Sequence, residues 1–249
     1  MIQLVKKRGI EMGITIENVA KKFPKVEAIK DLSLKVNSHE IMGLIGPSGS
    51  GKTTLIRIVT GALHADRGEV RIDDTKVPDM ALFPRLGFMP QSDALYPDLT
   101  GYDNLLFFGR LFGLKGERLK ARVEEMLGFI GLTEDGNRLV SRYSGGMKKR
   151  LSLIIALLHD PEYLLLDEPT VGIDPVLRKK IWDHFRALAE QGKTLVISTH
   201  VMDEAEHCDR VALLYRGGIL AAGTIPELKA KTSSGQIEEL FFALGGEAA

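Results

Sequence analysis

An apolar run, Glu40-Ile-Met-Gly-Leu-Ile45, leads directly into Gly46-Pro-Ser-Gly-Ser-Gly51-Lys52-Thr53, and a second apolar stretch, TTLIRIVTGAL, follows. The order is buried strand, glycine turn, helix, and the turn fits G-x-x-x-x-G-K-[ST]. Its glycines let backbone amides curl around an anion with no side chain in the way. A helix starting near Lys52 directs its positive end into the same turn. Lys52 adds a point charge for terminal phosphates, and the Thr53 hydroxyl suits magnesium. The segment therefore predicts a phosphate-binding loop at the edge of an α/β sheet.

The rest of the chain supplies such a sheet. ITIENV and LSLKV each place apolar residues on one face, and GEVRID (68–73) and RLGFMP (85–90) also read as strands. From Thr100 to about His159 the period becomes helical. In KGERLKARVEEMLGFIGL, Leu119, Val123, Met126, Leu127 and Ile130 recur on one face. Alternation then resumes: YLLLD is a strand, PVLRKKIWDHFRALAE a helix with Leu177, Ile181, Phe185 and Leu188 inward, TLVIS a strand, MDEAEHC a helix and RVALLY a strand. The predicted fold is α/β: a phosphate-loop NTPase core with a mainly parallel sheet, an antiparallel β part near the N-terminus and an inserted helical subdomain over about 93–158. Residues 13–224 form the domain, 1–12 an extension without pattern, and 225–249 a helical tail that frays at GGEAA.

Polar residues at strand ends point to one pocket. YLLLDEPT ends an apolar strand in Asp167-Glu168. The first carboxylate can reach a magnesium shell, and the second can orient or deprotonate a water. Gln91 closes RLGFMP and His200 closes TLVISTH. Taken singly, each is an ordinary loop residue. Their shared place at carboxyl ends of strands, where ligands sit in open α/β sheets, suits Gln91 to sensing magnesium and the attacking water and His200 to a γ-phosphate.

A second anion site is written into SRYSGGMKKRL (141–151). Ser144 is a reasonable cap for the helix MKKRLSLIIALL. Yet Gly145 and Gly146 weaken its first turn, and Lys148, Lys149 and Arg150 lie near the end where the dipole disfavours cations. An anion at this helix start accounts for both. One copy needs only one triphosphate, so the pattern suggests two copies placed head to tail, each completing the other's site.

Composition narrows the partners. Acidic and basic residues balance at 33 each, which gives no basic footprint for nucleic acid. One cysteine, Cys208, excludes an internal disulfide and a cysteine-rich metal site. The N-terminus lacks a signal-peptide pattern, and no apolar run approaches the roughly 18–20 residues needed to span a bilayer.

The order GPSGSGKTT, Gln91, YSGGMKKR, LLLDEPT, VGIDP and STH resembles the nucleotide-binding subunit of an ABC transporter over roughly residues 13–224. The resemblance implies that Gly46, Pro47, Ser48, Gly49, Ser50, Gly51, Lys52, Thr53 and Thr54 hold ATP. It implies catalytic roles for Glu168, His200, Gln91 and Lys52, and magnesium at Thr53, Gln91 and Asp167. Ser144, Gly145 and Gly146 would touch ATP on the opposite subunit, Asp174 would lie at the dimer seam while capping the helix after Pro175, and Phe23 would stack on adenine. The expected assembly is a sandwich dimer of ATP-binding subunits, with two identical copies as the simplest case, on the cytoplasmic face of the membrane.

Two positions depart from the commonest signature, with Tyr143 for leucine and Met147 for glutamine, which leaves the Ser-Gly-Gly intact. These variants, with ALYPDLTGYDNLLFFGRLFGL after Gln91, resemble the export-type class that works with a separate integral-membrane permease. The docking region would be the stretch holding Tyr96, Leu99, Phe107 and Phe108, most of them expected to be buried. A family member acting on DNA or ribosomes usually needs a long coiled-coil insertion or a second cassette, and neither is present. A phosphate-loop kinase would leave YSGGM, Gln91 and His200 without work.

Overall fold

The computed structural model describes residues 12–92 and 94–241. Two sheets carry it. Strands β1 (Gly13–Phe23) and β2 (Val26–Asn37) form an antiparallel hairpin, β4 (Arg67–Ile72) pairs antiparallel to β1, and β5 (Thr75–Lys76) ends the sheet, in the order β2-β1-β4-β5. Its register shifts between Ile16 and Val19, where Asn18 takes a left-handed backbone that asparagine tolerates better than most residues. The shift keeps Ile14, Ile16 and Val19 all buried.

The second sheet runs β10-β9-β3-β8-β7-β6. Strands β3 (Ile41–Ile45), β6 (Leu86–Met89), β7 (Tyr163–Asp167), β8 (Thr194–Thr199) and β9 (Arg210–Tyr215) are parallel. Alternate residues serve two cores. Met42, Leu44, Leu165 and Val196 pack with α1 (Lys52–Val59) and the antiparallel sheet. Ile41, Ile45, Leu164, Leu166 and Ile197 pack with the helices of the other face. Those are α2 (Gly101–Leu111), α3 (Gly116–Phe129), α4 (Gly145–Leu157) and α5 (Pro175–Glu190). Strands buried on both faces must be apolar throughout, which explains YLLLD and EIMGLI.

The α3 stripe Leu119, Val123, Met126, Leu127 and Ile130 is buried as expected. Three expectations need correction, and one strand is new. RLGFMP is strand only over Leu86–Met89, because the preceding Met80–Arg85 forms a 3₁₀ turn capped by Asp79, whose Oδ1 accepts from Ala81 N at 2.8 Å. MDEAEHC is a 3₁₀ turn, Met202–His207, and not an α-helix; no side chain caps its start, and Glu204 and Ala205 are drawn into the core. Strand β10 (Gly218–Gly223) was not foreseen. It returns antiparallel on β9 through Arg216-Gly217, both left-handed, as a two-residue hairpin requires. None of the four docking aromatics and leucines is buried: Tyr96 and Phe107 are exposed, Leu99 and Phe108 half-buried. Tyr96, Phe107 and Phe108 pack on one another, with Tyr96 and Phe107 edge to face at 4.9 Å.

After a short helix α6 (Ile225–Lys229), Ile237 and Leu240 are buried in the main core. The GGEAA end and residues 1–11 lie outside the described residues. Among the described residues, no helix is long and apolar enough to cross a membrane.

Candidate active site

The loop between β3 and α1 is shaped by its glycines and by what lies behind it. A Cβ on Gly46 would lie 2.1 Å from the Leu214 carbonyl oxygen, so β9 abuts the loop's first residue. Gly51 has φ 109 and backs onto Ala28 O, while Gly49, φ 79, faces open space. The β9–β10 turn braces the loop: Gly217 N donates to Ser50 O at 3.0 Å, and Gly217 O accepts from Lys30 N at 2.7 Å. Lys52 is buried, and its ammonium donates to Gly46 O at 2.6 Å and Pro47 O at 3.1 Å, which holds it in the concavity. Burial lowers the Lys52 pKa, opposed by the nearby Glu168 and Asp167 carboxylates.

Strands β7, β8 and β6 bring their ends to the same place. Asp167 is fully buried and accepts a short hydrogen bond from the Ser198 hydroxyl. Glu168 N donates to Ser198 O at 3.1 Å and to Ser198 Oγ at 3.0 Å. The Glu168 backbone is left-handed, φ 53, which costs a non-glycine residue about 1–2 kcal/mol. The turn swings its carboxylate between two polar partners. Gln91 Nε2 donates to Glu168 Oε2 at 3.2 Å, and His200 Nδ1 lies 3.0 Å from Glu168 Oε1. Gln91 Oε1 in turn accepts from the Thr53 hydroxyl at 3.5 Å. Thr53, Gln91, Glu168 and His200 thus form one hydrogen-bonded chain. Burial, the largest single influence on the Glu168 carboxyl, pushes its pKa up, but His200, Gln91 and Lys52 together outweigh it and hold the group below its ordinary value. At neutral pH it is an anion able to accept a proton or orient a water.

The Ser-Gly-Gly segment stands apart. Ser144 Oγ accepts from Met147 N at 3.2 Å and caps α4. Ser144 and Gly145 are exposed, and the nearest atom to a Cβ on Gly146 would be Gly172 O at 3.5 Å. Asp174 is exposed and caps α5, accepting from Leu177 N at 3.0 Å. Among the described residues, no hydrogen bond or ion pair joins residues 144–146 to 46–54. Only part of the cationic charge near this helix start is left for an anion. Arg150 donates to Ile130 O at 2.9 Å, so its charge serves the carbonyl end of α3. Phe23 lies at the tip of the β1–β2 hairpin, 39% exposed, with the Lys21 ammonium 5.8 Å from its ring centre.

Sequence reasoning missed Ser198 and the anchoring role of Tyr143. Ser198 was legible as the polar interruption in an otherwise buried strand. Tyr143 is buried and its hydroxyl donates to Asp135 O at 2.7 Å, anchoring the residue before Ser144.

A braced phosphate loop with a buried lysine, facing a strand-end carboxylate between glutamine and histidine, defines a nucleoside-triphosphatase of the phosphate-loop class. The comparisons place it more narrowly. The pattern of the ABC transporter family matches residues 29–171. The chain is 43% identical over 215 residues to Nod factor export ATP-binding protein I of Bradyrhizobium diazoefficiens, covering 85% of this chain and 70% of that one. It is 37% identical over 227 residues to the linearmycin resistance ATP-binding protein LnrL of Bacillus subtilis, covering 90% and 73%. A dimeric ATP-binding cassette in a post-hydrolysis state, bound to ADP and Pi, matches with a TM-score of 0.77 at 30% identity, over 85% of this chain and 98% of that one. The chain belongs to the ABC transporter family, and it is an ATP-hydrolysing, nucleotide-binding subunit of the export type.

Proposed function

We propose that two copies of this chain clamp two ATP molecules between them and that closure and hydrolysis drive export through a separate integral-membrane permease. One observation carries the reading: the exposed Ser144 helix start and the loop at 46–54 are both present in one chain but unconnected within it. Each half is complete only beside a second copy, with Asp174 at the seam.

In this scheme the backbone N–H groups of Ser48 to Thr54, on the turn that Gly46 and Pro47 open, and the Lys52 ammonium hold the β- and γ-phosphates, and Phe23 stacks on adenine. Glu168 accepts the proton of the attacking water, and His200 and Gln91 fix the direction of its carboxylate. Ser144, Gly145 and Gly146 of the second copy donate to the γ-phosphate from the far side. Catalysis is positioning and charge stabilisation. Thr53, Gln91 and Asp167 offer hard oxygen donors and would hold magnesium. When bound, that ion neutralises charge on the β- and γ-phosphate oxygens.

The permease would seat in an apolar cavity of about 650 Å³ between the core and α2, lined by Phe83, Pro90, Phe108, Leu111 and Phe112. Pro90 in its lining directly precedes Gln91 in the chain, so a docked partner would act on the segment that carries Gln91. Seating there puts the chain peripherally on the cytoplasmic membrane face. The relatives are named for Nod factor export and linearmycin resistance, and the cargo would be chosen by the permease.

The test is Glu168→Gln. Losing a general base costs about 10²–10⁴ in turnover. ATP should still bind, and the variant should run as a dimer on gel filtration with ATP and as a monomer without it. A variant that stays monomeric at saturating ATP contradicts the clamp.

A further inference from the structure

Thr170 and Glu204 form a polar pair that the scheme above does not use. Thr170 is 0% exposed and Glu204 3%. The Thr170 hydroxyl donates to Glu204 Oε1 at 2.6 Å, while Glu204 Oε2, equally sealed from solvent, has no partner. A carboxyl group with one buried oxygen unpaired is a costly way to fill a core, and apolar side chains of similar volume would pack there at less cost. Packing alone therefore does not explain the pair.

Its position does. Thr170 stands two residues after Glu168, and its carbonyl closes the next turn by accepting from Ile173 N at 3.2 Å. Glu204 stands four residues after His200. Its own turn is fixed by Glu204 N donating to Val201 O at 3.2 Å and by Val201 N donating to Thr199 Oγ1 at 3.0 Å. The same two segments therefore meet twice. They meet at the surface through Glu168 and His200, and in the interior through Thr170 and Glu204. Glu168 also keeps a left-handed backbone, which persists only where its surroundings over-determine it. Ser198 holds that residue from one side, and the Thr170 tether holds the chain just beyond it.

We infer that Glu204 is a positioning residue for ATP hydrolysis. Through Thr170 it fixes the turn that aims Glu168, and through the 201–204 turn it sets His200 against that carboxylate. The inference rests on the roles given above to Glu168 and His200.

The test compares Thr170→Val, Glu204→Ala, Glu204→Gln and the Thr170→Val/Glu204→Ala double variant in the full chain, reading kcat, KM for ATP and melting temperature. Small misplacement of a reacting group can cost about 100-fold, so Thr170→Val and Glu204→Ala should each lose about 10- to 100-fold in kcat with KM within about twofold. The double variant should be no worse than either single, because all three break one link. Glu204→Gln keeps an acceptor for the Thr170 hydroxyl and should recover most of kcat. Wild-type kcat in folded Thr170→Val would overturn the inference, as would multiplied losses in the double variant or a Glu204→Gln as slow as Glu204→Ala. Should Glu204→Ala fail to fold, Thr170→Val, close in shape to threonine, still decides. Glu168→Gln separates the levels: if it is inactive while Thr170→Val turns over normally, only the Glu204 role fails, and if it is fully active, the site assignment fails first.

Discussion

Gly46 is fixed by the phosphate-loop pattern and Gly49 stands at one of its open positions, yet the structure gives both of them work, and alanine at each should separate fold from binding. A Cβ on Gly46 would sit 2.1 Å from Leu214 O and 2.8 Å from Ser50 Oγ. The nearer atom is backbone, on the strand that pairs with β3 through Ile45 and Leu213. Relief requires the loop and β9 to part by about 1 Å, which strains the packing by about 1–3 kcal/mol and puts a ladder hydrogen bond worth about 1 kcal/mol at risk. The sum, about 2–4 kcal/mol, is a large share of a typical stability and should lower the melting temperature by about 4–16 °C. At Gly49 nothing lies within 4 Å of the added atom, and only the left-handed backbone, φ 79, objects. That costs about 1–2 kcal/mol, and the loop can escape it locally by leaving the conformation that aims its amides at phosphate. The loss should appear as about 5- to 30-fold weaker ATP binding, with little change in melting. Trp182, the single tryptophan and 3% exposed, reports unfolding by fluorescence, and nucleotide titration reports binding. A Gly46→Ala protein as stable as wild type, or a Gly49→Ala protein less stable than Gly46→Ala, refutes this division of labour.

Two further outcomes follow from groups outside the loop. Asp73 accepts from Gly13 N at 2.9 Å, the Tyr163 hydroxyl at 2.6 Å and Arg85 at 2.6 Å; burial, the largest influence, raises its pKa, but these bonds together leave it lowered. Its stabilising share is therefore present above the unfolded value of about 3.9 and lost as pH falls through the lower folded value, so the stability gap between wild type and Asp73→Asn in urea melts should narrow below about pH 4. A gap that widens with acid contradicts the sign. Burial pushes the Cys208 thiol up to about 12, so a thiol reagent at pH 8 should label the native chain slowly and the urea-unfolded chain quickly. Equal rates in both states would show that β9 and its preceding turn open freely.

The strand and helix alternation was legible because each element has its own period and a buried two-faced strand leaves an unbroken apolar word. The loop was legible because phosphate demands glycine, lysine and a hydroxyl in fixed order. Other features carried no local signal. Met202–His207 has the composition of a helix, and only the inward pull on Glu204 and Ala205 keeps it tight. Strand β10 turns on Arg216-Gly217, a weaker hairpin signal than Asn-Gly, and GILAAG lacks alternation. The exposed Tyr96 and Phe107 show the limit of a general rule, since aromatics are placed in the interior by default and on the surface when something else covers them. The Thr170–Glu204 bond joins residues 34 positions apart, and no spacing rule links them.

On the proposed reading, the charges of the isolated chain explain why closure waits for nucleotide. The N-termini of α1 and α4 each carry about half a positive charge, and Lys52 adds a full one beside the first. Bringing the loop of one copy against the Ser144 helix start of another therefore opposes like charges across the seam. A γ-phosphate between them reverses the sign of both contacts at once, and each becomes a helix end facing an anion. Glu168 needs no such bridge, because Gln91 and His200 already hold it within one copy. The catalytic carboxylate is thus set before the second copy arrives, and what the second copy adds is charge stabilisation of the phosphate itself. Hydrolysis cuts the γ-phosphate free of ADP as inorganic phosphate, and its departure removes the anion on which closure depends, so the reaction that the closed pair performs also prepares its opening.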